Sequence, residues 1–299
     1  MKIDQVKIRD PYILLYDDRY YMYGTRSESC WGMADGFDCF ISDDLENWNG
    51  PVVIFKKPEG FFADRCYWAP ECYHYNGCFY LVTTFGGNHV KKGIYILKAN
   101  QPTGPFSLFS QRITPADWAC IDGTIYFEEE YPYLVFSRSF EDNPDGEMCM
   151  MRLSDDFSNA EGGSKRLFSA AAVPWAKPVP FIKEEMGIDG DVFFTDGPSL
   201  IRHPDGSLCM AWSSWGTNGY AVGQAISKSG RIIGPWQQDR LPIFSENGGH
   251  GMFFTAKDGQ TYFTLHYPND KYAERPLLKK VVFEDDGISF ATVASHSGT

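Results

Sequence analysis

Residues 71–85, ECYHYNGCFYLVTTF, carry the reading that decides the fold. Two runs rich in aromatic and β-branched residues flank Asn76-Gly77, a pair that takes the positive backbone angles of a two-residue turn at little cost. The stretch therefore predicts a β-hairpin. Four further stretches repeat the form: YILLYDDRYYMYGT (12–25), GTIYFEEEYPYLVFS (123–137), PSLIRHPDGSLCMAWSS (198–214) and GMFFTAKDGQTYFTLHY (251–267). After each comes a second pair of runs, such as DCFISDDLENWNGPVVIF (38–55) and GIYILKANQPTGPFSLFS (93–110), so every unit predicts four antiparallel strands. The units start near residues 10, 71, 122, 196 and 250, at intervals of 61, 51, 74 and 54 residues, a spacing that fits the four-stranded blade of a propeller. The expected fold is all-β, a five-bladed β-propeller with four-stranded antiparallel blades, occupying residues 1–299 as one domain. The longest interval implies an insertion around residues 155–190.

Bulk properties narrow the setting. A chain of 299 residues with 43% hydrophobic content can bury a large core. No apolar stretch approaches the roughly 18 residues of a membrane span, and MKIDQVKIRDP at the start holds no apolar segment of signal-peptide length. The expectation is a cytoplasmic protein, or a secreted one already trimmed. Cys30, Cys39, Cys66, Cys72, Cys78, Cys120, Cys149 and Cys209 form no CxxC pair and fall mostly in strand-like runs, so they read as free thiols. A formal net charge of −12 without a Lys/Arg cluster argues against nucleic acid or an anionic membrane as partner. A neutral sugar is indifferent to that charge. The aromatic content of 16% serves sheet packing and ring stacking alike, so position has to separate the two uses.

In a propeller the first strand of each blade lines the central channel, and its leading end opens into a funnel. Asp10, Glu71, Asp122, Asp196 and His250 stand at those five starts and are expected to converge there, though far apart in the chain. So many carboxylates without Lys or Arg beside them need hydrogen bonds, protons or a cation. The plain alternative is that Asp before Gly or Pro is a turn residue. It accounts well for the Asx-Gly pairs at Asn76, Asp145, Asp205, Asp258 and Asp286 and less well for acids that share a phase in the repeat. Trp48 and Trp236 lie in outer-hairpin loops, where packing between blades is the expected role.

RDPYILLYDDRYYMYGT (9–25), WAPECYHYNGCFYLV (68–82), IDGTIYFEEEYPYLVFS (121–137) and DGPSLIRHPDGSL (196–208), in this order, resemble the blade-start motifs of glycoside hydrolase family 43, a family of five-bladed propellers containing arabinofuranosidases, xylosidases and arabinanases. The resemblance implies that Asp10 is the general base and that Asp122 tunes and orients its partner. The family's general acid is a Glu in a Glu-Gly-Pro context, and this chain has Asp196-Gly197-Pro198 there, shorter in reach by about 1.5 Å. Asp196 is the expected acid, with Glu71, Glu184 and Glu185 as alternatives. The implied chemistry is hydrolysis with inversion, between two carboxyls roughly 6.5–9.5 Å apart. His250 resembles the channel histidine that in some members approaches a calcium ion bound mostly through water; no organic cofactor is expected. Trp31, Trp68, Glu71, Phe85, Arg138, Trp215 and Arg275 are expected to line or rim the pocket and meet an oligosaccharide. The reaction expected is release of a pentose, α-L-arabinofuranose first, with β-xylosides, internal arabinan cleavage and a non-catalytic sugar-binding propeller as alternatives. A scaffold propeller would need no converging acids.

Overall fold

The computed structural model of the protein describes residues 1–291. Its strands form five four-stranded antiparallel sheets, each built from four consecutive strands in chain order. Blade 1 comprises Ile8–Tyr16, Arg19–Arg26, Gly36–Ser42 and Trp48–Lys56, and blade 2 comprises Arg65–Tyr75, Cys78–Gly87, Val90–Ala99 and Ser107–Leu108. Blade 3 follows with Cys120–Glu128, Tyr131–Arg138, Glu147–Leu153 and Ala160–Ser169. Blade 4 holds Asp196–Arg202, Leu208–Gly216, Gly219–Ser227 and Gln237–Gln238; blade 5 holds Gly249–Thr255, Thr261–Tyr267, Arg275–Glu284 and Gly287–Phe290. The first strands touch in succession, blade 1 to 2, 2 to 3, 3 to 4, 4 to 5 and 5 back to 1, which closes the five-bladed propeller.

Alternation of side chains along each strand puts one face of a blade against the next, and aromatic rings fill most of that space. Between blades 1 and 2, Phe37, Phe55, Tyr67 and Phe85 are all buried, with Tyr67 and Phe85 edge to face at 4.7 Å. All eight cysteines are free thiols, as expected, and six of them are buried.

The feature that positions the channel is a bulge repeated five times. In every blade the pairing of first and second strands slips over two residues: 10–11, 69–70, 122–123, 197–198 and 250–251. The first residue of each slip, Asp10, Ala69, Asp122, Gly197 and His250, has a positive φ between 46° and 56°. A β-bulge with left-handed backbone bends the strand and re-aims its side chain. Thus Asp10, Asp122 and His250 share one slot. Asp196 stands one residue before it, equivalent to Arg9 and Trp68, and Glu71 two residues after it, so the expectation of a common slot for all three aspartates is corrected. Gly197 occupies the slot in blade 4 because a Cβ there would lie 2.7 Å from the His250 ring.

Opposite the residue before each slip, the second strands carry Thr25, Thr84, Ser137, Ser213 and His266. Four of these tie one blade to the next. Ala69 N–H donates to Thr25 Oγ1 (2.8 Å), Asp122 N–H to Thr84 Oγ1 (3.0 Å), His250 N–H to Ser213 Oγ (2.8 Å) and Asp10 N–H to His266 Nδ1 (3.3 Å). Ser137 bonds instead to Thr195, both at its carbonyl and at its hydroxyl. Blades 1 and 5 exchange no strand. Their seam is closed by His266, by Arg9 Nη1 to Glu274 Oε1 (2.8 Å), by Lys257 N–H to the Tyr20 hydroxyl (2.9 Å) and by Thr264 to the Pro11 carbonyl.

The long connection spans residues 170–195, later than the expected 155–190, because 160–169 is the fourth strand of blade 3. It contains the short helix Ile182–Met186 and a small core of its own in which Val179, Ile182 and Val192 pack with Phe140, Phe181, Phe194 and Trp215.

Thr84→Val keeps the shape of the buried side chain but leaves the Asp122 N–H without an acceptor. An unpaired buried donor costs about 1–3 kcal/mol, so the midpoint of thermal unfolding is expected to fall by several degrees. An unchanged midpoint in a calorimetric scan would show that the bulge bond contributes nothing to holding blades 2 and 3 together.

Candidate active site

The bulges deliver three carboxylates to one imidazole. His250 Nδ1 lies 3.0 Å from Asp196 Oδ1, 3.4 Å from Asp10 Oδ1 and 3.7 Å from Asp122 Oδ2. Asp10, Asp122 and His250 are almost fully buried, and Asp196 is the acid most open to the funnel. Thr25 Oγ1–H donates to Asp10 Oδ2 (2.6 Å), and Arg9 Nε stands 3.6 Å from Asp10 Oδ1. The Tyr220 hydroxyl, from the third strand of blade 4, donates to Asp196 Oδ2. Its ring is stacked on His266 at 5.5 Å and on Phe194 at 6.1 Å, and Gly249 makes room for it, since a Cβ there would lie 2.6 Å from the ring.

Electrostatics separates the acids. Burial alone would raise Asp10, but His250, Arg9 and His266 outweigh it and hold this carboxyl well below the usual range, so it is ionised. Asp122 is pushed far up by burial and by the charge of Asp196, and it carries a proton. Burial also works against an ionised Asp196, yet His250 and the hydrogen bond from Asp122 hold it low. Burial favours a neutral His250, but the three aspartates overcome this and push the imidazole up to about 10. His266 is held neutral by burial and by Arg9. The site thus contains an ionised carboxylate at Asp10 and, on its other side, one proton shared by the hydrogen-bonded pair Asp122 and Asp196.

Other expected residues are distributed unevenly. Trp31 is exposed at the mouth, with the Arg9 guanidinium 5.0 Å from its ring centre and Trp68 edge-on at 5.9 Å; Trp68 is fixed by its indole N–H on the Cys30 carbonyl (2.8 Å). Trp215 lies beside Tyr220 at 6.2 Å. Glu71 is buried inside the channel, where Tyr73 and Thr124 donate to Oε2; burial is the main cause that lifts its carboxyl to about 8. It is a channel group rather than a rim contact. Phe85 is wholly buried between blades 1 and 2, because the strand that sends Thr84 inward sends its neighbour into the inter-blade core. Arg138 is held by Glu147 (3.2 Å) and lies 4.0 Å over the Trp118 ring, and Arg275 bonds to carbonyls of its own loop. Glu184 and Glu185 project outward from the short helix, exposed and outside the cluster.

Sequence reasoning missed Arg9, Tyr220, His266 and Glu274. Arg9 adjoins Asp10, and His266 shares its phase with the Thr and Ser of the other second strands, so both left a signal. Tyr220 and Glu274 left none, since outer strands and loops carry no repeated mark.

Comparison with known proteins bears on the whole chain. Residues 3–289 match the family described as Glycosyl hydrolases family 43. The chain is 25% identical over 321 residues to the extracellular exo-α-(1→5)-L-arabinofuranosidase ArbA of Cellvibrio japonicus, covering 95% of this chain and 86% of that protein. The crystal structure of an endo-arabinase from Bacteroides thetaiotaomicron superposes with a TM-score of 0.86 at 33% identity, over 95% of this chain and 98% of that one. An endo-1,4-β-xylanase from the same organism shares the fold, with a TM-score of 0.75 at 24% identity, over 97% and 96% of the two chains. No described helix is long and apolar enough to cross a membrane, and the expectation of a cytoplasmic protein finds no support in a relative that is extracellular. The matched length, the five blades and the converging acids lead to one statement: the chain belongs to glycoside hydrolase family 43 and is a glycosidase.

Proposed function

We propose that the protein is an inverting hydrolase that releases L-arabinofuranose from the ends of arabinan-type oligosaccharides. The observation that carries the reading is the meeting of Asp10, Asp122 and Asp196 around His250, with an ionised acid on one side and a proton held on the other. The sugar is supported by the arabinofuranosidase and endo-arabinase relatives at 25% and 33% identity. In this reading Asp10 takes a proton from the water that attacks the anomeric carbon. Asp122 holds the proton in the resting site and passes it through Asp196 to the departing oxygen, while Tyr220 holds the outward oxygen of Asp196. The near oxygens of Asp10 and Asp196 both lie within 3.4 Å of one nitrogen, which puts them at or below the lower edge of the roughly 6.5–9.5 Å span of inverting pairs. Inversion is the outcome that the family resemblance implies. Proton NMR of the first-formed sugar tests this: the inverted anomer is expected first, and initial formation of the retained anomer overturns the reading.

For calcium the fitting atom is His250 Nε2, which is buried and without a partner while Nδ1 faces the acids. Only the neutral imidazole has a lone pair for a metal, so an ion on the axis would displace the second proton of His250, to be held by that nitrogen and otherwise by water, because calcium takes about six to eight ligands, mostly oxygen. Bound there, it would supply positive charge beside the acids.

If Asp10 activates water, Asp10→Asn lowers kcat by a factor on the order of 10² to 10⁴, with the circular dichroism spectrum and sugar binding retained. Turnover near that of the parent protein removes Asp10 from the mechanism.

The demand for a general acid grows as the leaving group worsens, because a phenolate of low pKa departs unprotonated and a sugar alkoxide does not. Asp196→Ala is therefore expected to abolish hydrolysis of arabino-oligosaccharides while sparing much of the rate on a dinitrophenyl arabinofuranoside. Equal losses on the two substrates would show Asp196 to be structural.

A further inference from the structure

The joint between blades 5 and 1 differs in kind from the others. In three joints a hydroxyl, of Thr25, Thr84 or Ser213, accepts the bulge N–H. A hydroxyl accepts and donates at one oxygen, and Thr25 does both, taking the Ala69 N–H while giving its proton to Asp10 Oδ2 (2.6 Å). At the joint that carries Asp10 the same place belongs to His266, which is wholly buried and neutral. A neutral imidazole has one nitrogen that accepts and one that donates, so one tautomer has to be selected. His266 Nδ1 stands 3.3 Å from the Asp10 backbone nitrogen and 3.3 Å from Asp10 Oδ1. It meets the backbone N–H as an acceptor. As a donor it would oppose that N–H and bond the carboxylate instead.

The selection is made on the other side of the ring, where Nε2 lies 3.1 Å from Asn269 Oδ1. An amide oxygen only accepts, so Nε2 carries the proton and Nδ1 keeps its lone pair. Asn269 is fixed in turn. Its N–H donates to the Asn247 carbonyl (2.7 Å), and the Asn247 side chain spans the Tyr220 N–H (3.2 Å) and the Asp270 carboxylate (3.1 Å). Asp10 Oδ1 correspondingly has no hydrogen-bond partner. The carboxyl remains ionised all the same, because His250 and Arg9 weigh more than His266 among the groups that hold it low.

We propose that Asn269 is a positioning residue for the general base: by accepting the Nε2 proton of His266 it keeps Nδ1 as the acceptor that fixes the Asp10 bulge, with no proton donated from the ring to the Asp10 carboxylate. The proposal rests on the reading of Asp10 as the base. A loop residue of blade 5 thereby governs the orientation of a carboxylate in blade 1, across the seam where the ring closes.

Asn269→Leu removes the acceptor at similar size, from a half-buried position just past the end of a strand; Asn269→Ala serves if the leucine variant does not fold. Without the acceptor both tautomers form, and the one with Nδ1–H turns to Asp10 Oδ1. Long-range proton–nitrogen correlation spectra of protein labelled with nitrogen-15 at histidine read the tautomer directly, with His266 assigned through its contacts with the stacked Tyr220 ring. The parent protein is expected to show Nε2–H and an unprotonated Nδ1. In Asn269→Leu an Nδ1–H population is expected to appear, and kcat for α-1,5-linked arabinotriose to fall roughly tenfold, the effect of one hydrogen bond, with KM little changed. A parent protein whose His266 carries its proton on Nδ1 overturns the proposal without any variant having to fold. So does a variant in which kcat falls while the tautomer stays, or the tautomer changes while kcat stays, or neither changes. A parent protein inert towards arabinotriose overturns the proposed activity and this role with it, whereas an active parent with Nδ1–H overturns the role of Asn269 alone.

Discussion

Three carboxylates around one buried imidazole is the arrangement on which the rest of the molecule depends. In water these groups would repel and disperse; inside the channel they stay together because His250 is charged and because Arg9, Thr25 and Tyr220 each take one oxygen or one charge in hand. The balance is close, since Asp10 Oδ1, Asp122 Oδ2 and His250 Nε2 are buried without a hydrogen-bond partner. Unmet polar atoms of this kind are what a substrate or an ion would satisfy, and they cluster at the proposed active site.

Those groups meet because a left-handed bulge recurs in five blades. The backbone conformation is unfavourable for Asp and His alone, and each bulge is held by an N–H that reaches the next blade. Geometry that costs energy locally is thus stabilised by the bond that joins the blades. Blade 4 is the exception: Gly197 takes the strained position, its acid moves back to Asp196, and Ser137 turns to Thr195. Tyr220 reaches across from the third strand to hold that acid.

Much of this was legible in the sequence. Hairpins with Asn-Gly and Asp-Gly turns at a steady interval gave the propeller, and acids at blade starts gave Asp10, Asp122, Asp196 and His250. What escaped has a common cause. Sequence spacing counts residues, whereas a bulge shifts which residue faces the axis, so spacing alone puts Glu71 and Asp196 in a slot they do not occupy. Phe85 reads as a rim residue until side-chain alternation is phased against Thr84. Tyr220 becomes visible only when the third strand is paired with its neighbours, and the long connection, though implied by the spacing, has bounds that only the fourth strand of blade 3 fixes.

The seam between blades 1 and 5 has a consequence for how the protein is made. With no strand exchanged between the ends of the ring, its closure relies on contacts between residues 237 to 265 apart, such as Tyr20 with Lys257 and Arg9 with Glu274. A chain emerging from the ribosome can assemble blades 1 to 4 in order of synthesis, yet Asp10 meets neither His250 nor His266 until the last blade arrives. Ring closure and completion of the acid cluster are the same event, so a nascent or truncated chain lacking blade 5 would carry its carboxylates without the imidazole that makes them tolerable together.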